Sequence, residues 1–168
     1  MPNSASREVT VSVGDLSAAL EREHRDIDGG IAAFIASLDD GDVQRQPLID
    51  ALAALRRHIY LEEVFLFPPI REAGMVMPIF VMMREHGELW RTMDALTGLL
   101  ADGNDSKQLR TVSRELMGRL DQHNSKEEPI IYPHADTGLP EATSAELAQF
   151  IQTGQMPHGW VCQQAVAN

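Results

Sequence analysis

One stretch of this chain occurs twice. His58-Ile-Tyr-Leu-Glu62-Glu63 runs on through Phe65, Leu66 and Phe67 to Pro68, and His123-Asn-Ser-Lys-Glu127-Glu128 runs on through Ile130, Ile131 and Tyr132 to Pro133, at a constant offset of 65. A second pair, Arg22-Glu23-His24 and Arg84-Glu85-His86, precedes them at an offset of 62. The chain thus reads as one unit used twice, each copy supplying a lone His and then a His-x-x-x-Glu. A spacing of four residues puts both side chains on one side of a helix, about a turn apart. Two such halves facing each other bring four imidazoles and two carboxylates to one place. That is a donor set for a pair of metal ions.

Hydrophobic periodicity places these residues on four helices. Leu16, Leu20, His24, Ile27, Ile31, Phe34 and Leu38 recur at three- and four-residue steps, the period of an amphipathic helix. Asp15 or Ser12 is a candidate cap for that helix, and Asp39-Asp40-Gly41-Asp42 supplies its break. The second helix starts near Pro47, carries Leu48, Leu52, Leu55, His58, Glu62 and Phe65, and ends at Pro68-Pro69. Ile79, Met82, His86, Leu89, Met93, Leu96 and Leu100 mark the third, which stops before Asp102-Gly103-Asn104-Asp105. Leu109, Val112, Leu116, Leu120, His123, Glu127 and Ile131 mark the fourth, where Pro129 predicts a kink or an early end. No segment alternates strongly enough to argue for a strand. An all-α chain follows, with helices over roughly 14–39, 46–68, 76–101 and 106–132 forming a unit over residues 1–133. Residues 134–168 carry Gly138, Pro140, Gly154, Pro157 and Gly159 among short helix-prone stretches, and predict a C-terminal extension laid against that unit.

His24, His58, Glu62, His86, His123 and Glu127 all fall on the apolar stripes of their helices. A carboxylate on a buried face must be paired, hydrogen-bonded or metal-bound, because an isolated buried charge is very costly. No lysine or arginine shares those stripes nearby, so a cation is the simplest partner. Four imidazole nitrogens and two carboxylates give about eight donor atoms, fewer than two six-coordinate ions require. Positions are left for a bridging solvent oxygen and a small ligand. Imidazole with carboxylate suits iron, manganese or zinc, and the absence of thiolate disfavours copper(I) and iron–sulfur clusters.

Composition removes other classes. A chain of 168 residues is long enough to bury a substantial core as a single domain. Its longest apolar run, Met75 to Met83, is broken by Pro78 and is far too short for a membrane span. The formal net charge of −11 argues against nucleic acid or an anionic membrane as partner. Cys162 is the only cysteine, so no intrachain disulfide forms. With no apolar segment resembling a secretion signal at the N-terminus, a cytoplasmic protein is expected.

The order His24, His58-x-x-x-Glu62, His86, His123-x-x-x-Glu127 resembles the hemerythrin-like, or HHE cation-binding, family, over roughly residues 14 to 133. The resemblance implies an up-down-up-down four-helix bundle, a fold for which a relative in that family is a standard example. It also implies a non-haem centre of two iron ions in the bundle core. His24 then matches the first-helix ligand, His58 and Glu62 the second, His86 the third, and His123 and Glu127 the fourth, with both Glu bridging the ions. Two departures stand out. The oxygen carriers have a third-helix His four residues before the position of His86, where this chain has Met82. Their fourth-helix acid is an Asp spaced one residue further. The pattern is nearer the bacterial and iron-sensing branches. The expected function is binding or sensing of dioxygen or nitric oxide, or handling of iron; the alternative is a di-iron oxidase, peroxidase or repair enzyme. No general acid or base and no nucleotide-binding loop adjoins the ligands.

Other residues carry plainer expectations. Glu63, Glu128, Glu23 and Glu85 either accept hydrogen bonds from ligand imidazoles or simply face solvent. Tyr60 and Tyr132 are expected to pack rather than to contact a bound ligand, and His134 is left outside the ligand set. His158 and Cys162 do not make a second metal site; with Trp160 as an anchor they read as tail docking. Met75, Met77, Met82, Met83 and Met93 read as adaptable core.

Overall fold

The structure, a computed structural model, describes residues 15–103 and 105–166; the candidate cap Ser12 and the loop residue Asn104 lie outside the described residues. Four helical rods follow one another: α1 (Leu16–Asp40); α2 (Gln46–Leu61) continued by a π-helical turn (Glu62–Leu66) and α3 (Phe67–Glu72); α4 (Val76–Asp102); and α5 (Ser106–Ile130). Then come α6 (Pro133–Thr137), α7 (Glu141–Thr153) and a short 3₁₀ turn (Gln163–Ala165). There is no strand among the described residues, and the rods form the up-down-up-down bundle. None of the described helices is long and apolar enough to cross a membrane.

The internal repeat is visible in the backbone. Both α1 and α4 stop on a glycine in the left-handed region, Gly41 at φ 78° and Gly103 at φ 86°, residues again 62 apart. A side chain with a Cβ is strained there, so glycine ends both helices in the same way. Asp105 accepts from the Gln108 amide and caps α5. The start of α1 is served from elsewhere: Asp136 on α6 accepts from the Ser17 amide at 3.0 Å and from its hydroxyl at 2.5 Å. Asp15 makes no side-chain capping bond.

Two of the expected helix ends move. The second rod does not end at Pro68-Pro69 but runs to Glu72, with the prolines in the first turn of α3, where a missing N–H is harmless. The missing donors are absorbed just upstream, where the Phe67 amide reaches back five residues to the Glu62 carbonyl. The fourth rod passes Pro129 but ends at Ile130, short of residue 132. There the Tyr132 amide bonds the Glu127 carbonyl at 3.2 Å, the same five-residue reach. Glu62 and Glu127, Phe67 and Tyr132 are the repeat-related pairs.

The polar residues of the stripes divide the core in two. On one side lie Ile27, Phe34, Leu55, Leu89, Met93 and Leu116 with their neighbours. On the other lie Leu16, Leu20, Leu66, Phe67, Met82 and Ile131, joined by Phe150 from α7. The segment after α5 is held by directed contacts. Arg57 donates to the carbonyls of Phe150, Ile151 and Gly154 at the C-terminal end of α7, and to Glu23. Gly87 lets the last turn lie on α4, because a Cβ there would stand 2.8 Å from the Gln164 Cβ and 2.9 Å from its carbonyl oxygen.

Candidate metal centre

The six stripe residues meet between the two cores. His24 comes from α1, His58 from α2, Glu62 from the π turn, His86 from α4, and His123 and Glu127 from α5; each is at most 3% exposed. Their donor atoms fall into two overlapping groups, His24, His58, Glu62 and Glu127, and Glu62, His86, His123 and Glu127, each with donors within 4.8 Å of one another. Glu62 reaches into both halves, with Oε1 2.9 Å from His58 Nε2 and Oε2 3.1 Å from His86 Nε2. Glu127 Oε2 stands 3.2 Å from His123 Nε2 and 3.5 Å from His24 Nε2.

The donor set fits a pair of metal ions. Glu62 Oε2, His86 Nε2 and Glu127 Oε1 are buried and have no hydrogen-bond partner. Glu62 Oε2 and His86 Nε2 are close enough to bond, but not oriented to do so. Buried polar atoms without a hydrogen bond are expensive in a folded protein, and a cation held among them relieves that cost.

Every imidazole is held the same way. The Nδ1 of His24 meets Glu128 at 2.9 Å, that of His58 meets Glu23 at 2.6 Å, that of His86 meets Glu63 at 3.0 Å, and that of His123 meets Glu85 at 2.9 Å. With Nδ1–H donating to a carboxylate, each ring presents Nε2 inward, the arrangement that fixes and strengthens a metal-binding imidazole. Each supporting Glu is the chain neighbour of a core residue but serves an imidazole on another helix, so the four helices are stitched in a ring. The sequence left these four glutamates divided between this role and solvent; the structure puts all four on imidazoles. Their duplication at the same two offsets as the core residues is the signal that could have decided it. Replacing Glu63 or Glu85 by Gln weakens metal binding by about 10–100-fold, measurable by competition with a chelator; unchanged affinity in both variants would dismiss the supporting role.

The charges of the metal-free site follow from these contacts. Burial works against the imidazolium of His123, but Glu127 and Glu85 outweigh it and lift its pKa to about 10. Burial also opposes charge on His58 and His86, yet Glu62 with Glu23, and Glu62 with Glu63, raise both. Burial and the neighbouring Glu62 would raise Glu127, but His123 and His24 hold it at about 2. Burial would raise Glu62 too, and His58 and His86 hold it well below the usual carboxylate range. Without metal, His58, His86 and His123 form a network of paired charges with Glu62, Glu127 and the carboxylates behind them.

Tyr132 is the residue that sequence reasoning missed. Expected to be packing, it is fully buried and aims its hydroxyl into the site. Oη donates to Glu62 Oε1 at 2.6 Å and lies 2.8 Å from His24 Nε2, 3.0 Å from His58 Nε2 and 3.3 Å from Glu127 Oε2. Tyr60 does pack, against Phe65, Phe150 and Trp160. His134 is half-buried on α6, outside both donor groups. His158 is exposed, while the buried Cys162 thiol donates to Glu63 at 3.3 Å and so braces the support of His86. Trp160 is half-buried, edge-on to Tyr60 and Trp90. Of the methionines, Met82 and Met93 are core, whereas Met77 is 66% exposed. It stands in the first turn of α4, on the rim of an apolar groove that Val81, Ile130 and Ile131 also line.

A family model described as the hemerythrin HHE cation binding domain matches residues 15–135. No curated protein and no solved structure matches the chain.

Proposed function

This chain belongs to the hemerythrin HHE cation-binding family, and from that premise we propose that it holds two iron ions and uses them to bind a small ligand, dioxygen or nitric oxide, as a sensor or store. His24 and His58 would hold one ion and His86 and His123 the other, with Glu62 and Glu127 shared. The observation that carries this reading is the pair of overlapping donor groups with both carboxylates in common, whose residues include three buried polar atoms without a hydrogen bond. Bound iron would supply reversible redox chemistry and affinity for diatomic ligands.

What the protein's own residues do is orient and shield. The Glu23, Glu63, Glu85 and Glu128 carboxylates fix the imidazoles, and the two apolar cores keep bulk water from the layer between them. Phe67 lies flat against His86 at 5.2 Å between ring centres, giving that half of the site an apolar wall. These features favour binding over catalysis. All four supporting carboxylates are committed to imidazoles, which leaves none free as a general base.

The deciding experiment is metal content per chain together with the absorption spectrum, before and after reduction and re-exposure to air or nitric oxide. Two irons per chain, with a spectrum that shifts to a long-lived adduct, is the expected result. Rapid consumption of the ligand with a reductant would move the protein to the enzyme class. Failure to take up iron after anaerobic loading would end the proposal.

A further inference from the structure

The geometry points to Tyr132 as a seventh metal ligand, its phenolate oxygen bound to the ion held by His24 and His58. This inference rests on the metal reading above. Donors about 2.1 Å from one ion stand about 3 Å apart at adjacent octahedral corners. Tyr132 Oη keeps that spacing to all four donors of the first group, from 2.6 to 3.3 Å. A phenol has one proton and two lone pairs. It can serve three hydrogen-bonding neighbours but not four, and all four here are fully buried donors of one candidate ion site. A cation shared by the five atoms satisfies every one of them.

The internal repeat supplies an independent argument. Residue 67 is the counterpart of residue 132, and both donate a backbone amide five residues back to a core Glu. Both aromatic rings lie beside a lone-His ring, Tyr132 5.3 Å from His24 and Phe67 5.2 Å from His86. The two halves therefore present the same ring at the same place, one with a hydroxyl and one without. Phenolate coordination closes the His24–His58 half, and exchangeable positions remain on the His86–His123 half beneath Phe67. As the metal–oxygen bond forms, the phenolic O–H breaks and its proton passes to solvent; nothing is oxidised or reduced.

The chain has only two tyrosines, so the test is unambiguous. The full chain, loaded anaerobically with ferrous iron, oxidised in air and desalted, should show a visible phenolate-to-iron(III) charge-transfer band and resonance-enhanced phenolate ring modes. Tyr132→Phe should lose both while keeping its iron; Tyr60→Phe should keep both. Phe67→Tyr should add a second phenolate contribution. Should Tyr132→Phe fail to fold, the Raman spectrum of the unaltered chain and the Tyr60→Phe comparison still decide. Two irons per chain without phenolate modes would overturn the inference and leave the metal reading standing. Bands that survive in Tyr132→Phe would likewise overturn it. No iron uptake at all would overturn both.

Discussion

Glu62→Ala or Glu127→Ala removes metal from both halves of the centre, not from one. Each carboxylate belongs to both donor groups, whereas each imidazole belongs to one. His24→Ala should therefore still leave Glu62, His86, His123 and Glu127 around a single ion, while Glu62→Ala leaves each half with two imidazoles and one carboxylate. The effect reaches stability by two routes. Metal that binds only the folded chain contributes about 4 kcal/mol at a concentration a thousandfold above its dissociation constant, about 10 °C in Tm for a chain of this length. The metal-free variant is weakened as well, because His58 and His86 lose the carboxylate that both face. Removing one partner of a buried ion pair typically costs about 3–5 kcal/mol. Metal per chain and thermal unfolding with and without chelator measure the two routes separately. A Glu62→Ala protein that retains two ions would show that the carboxylate is not shared.

The sequence was informative where one helix sets the answer. Whether His86 shares a face with Leu89 and Met93 depends only on the helical period, and all three are buried. The same holds for His58 with Glu62 and for His123 with Glu127, since four-residue pairs meet on any helix. Repetition then indicated that the halves face one another. What periodicity leaves undetermined is rotation and reach between helices. Glu23 and Glu85 lie one residue from the stripe, and only the packing of α1 on α2 and of α4 on α5 decides that they find His58 and His123 rather than water.

Tyr132 was lost for a related reason. It follows Pro129, in the stretch where α5 gives way to α6, and beyond a helix end the period no longer says which way a side chain points. A five-residue backbone step turns it inward, and such a step has no signature in apolar spacing. The prolines at 68 and 133 were the available hint. Pro68 was read as a helix end, but the second rod uses its prolines to start the next turn beyond a π-helical step. A π-helical turn that begins at Glu62, and a five-residue backbone bond that reaches back to Glu127 at the end of α5, carry the following aromatic of each rod over the site.

Metal-free protein should lose stability as pH rises above neutrality, and metal-loaded protein should not. His123 has its pKa raised from 6.5 to about 10 in the folded metal-free chain, so its contribution to stability is fully present below about pH 6.5 and is lost as pH rises through about 10. His58 and His86, also raised, act in the same sense. Glu127 is lowered from 4.5 to about 2, so its contribution is present above about pH 4.5 and disappears as pH falls through about 2. From these groups the chelated protein is most stable between about pH 4.5 and 6.5, and loses stability steadily from neutrality towards about pH 10. Metal binding needs the same imidazoles without their Nε2 protons, so it displaces protons and strengthens as pH rises. The gap in Tm between loaded and chelated protein therefore widens from about pH 6 to about pH 9, and metal uptake near neutrality releases protons that a weakly buffered titration can count. A chelated protein whose Tm stays level or rises across that interval would mean that the imidazoles are neutral before metal arrives, and that the paired-charge network is not what holds the empty site together.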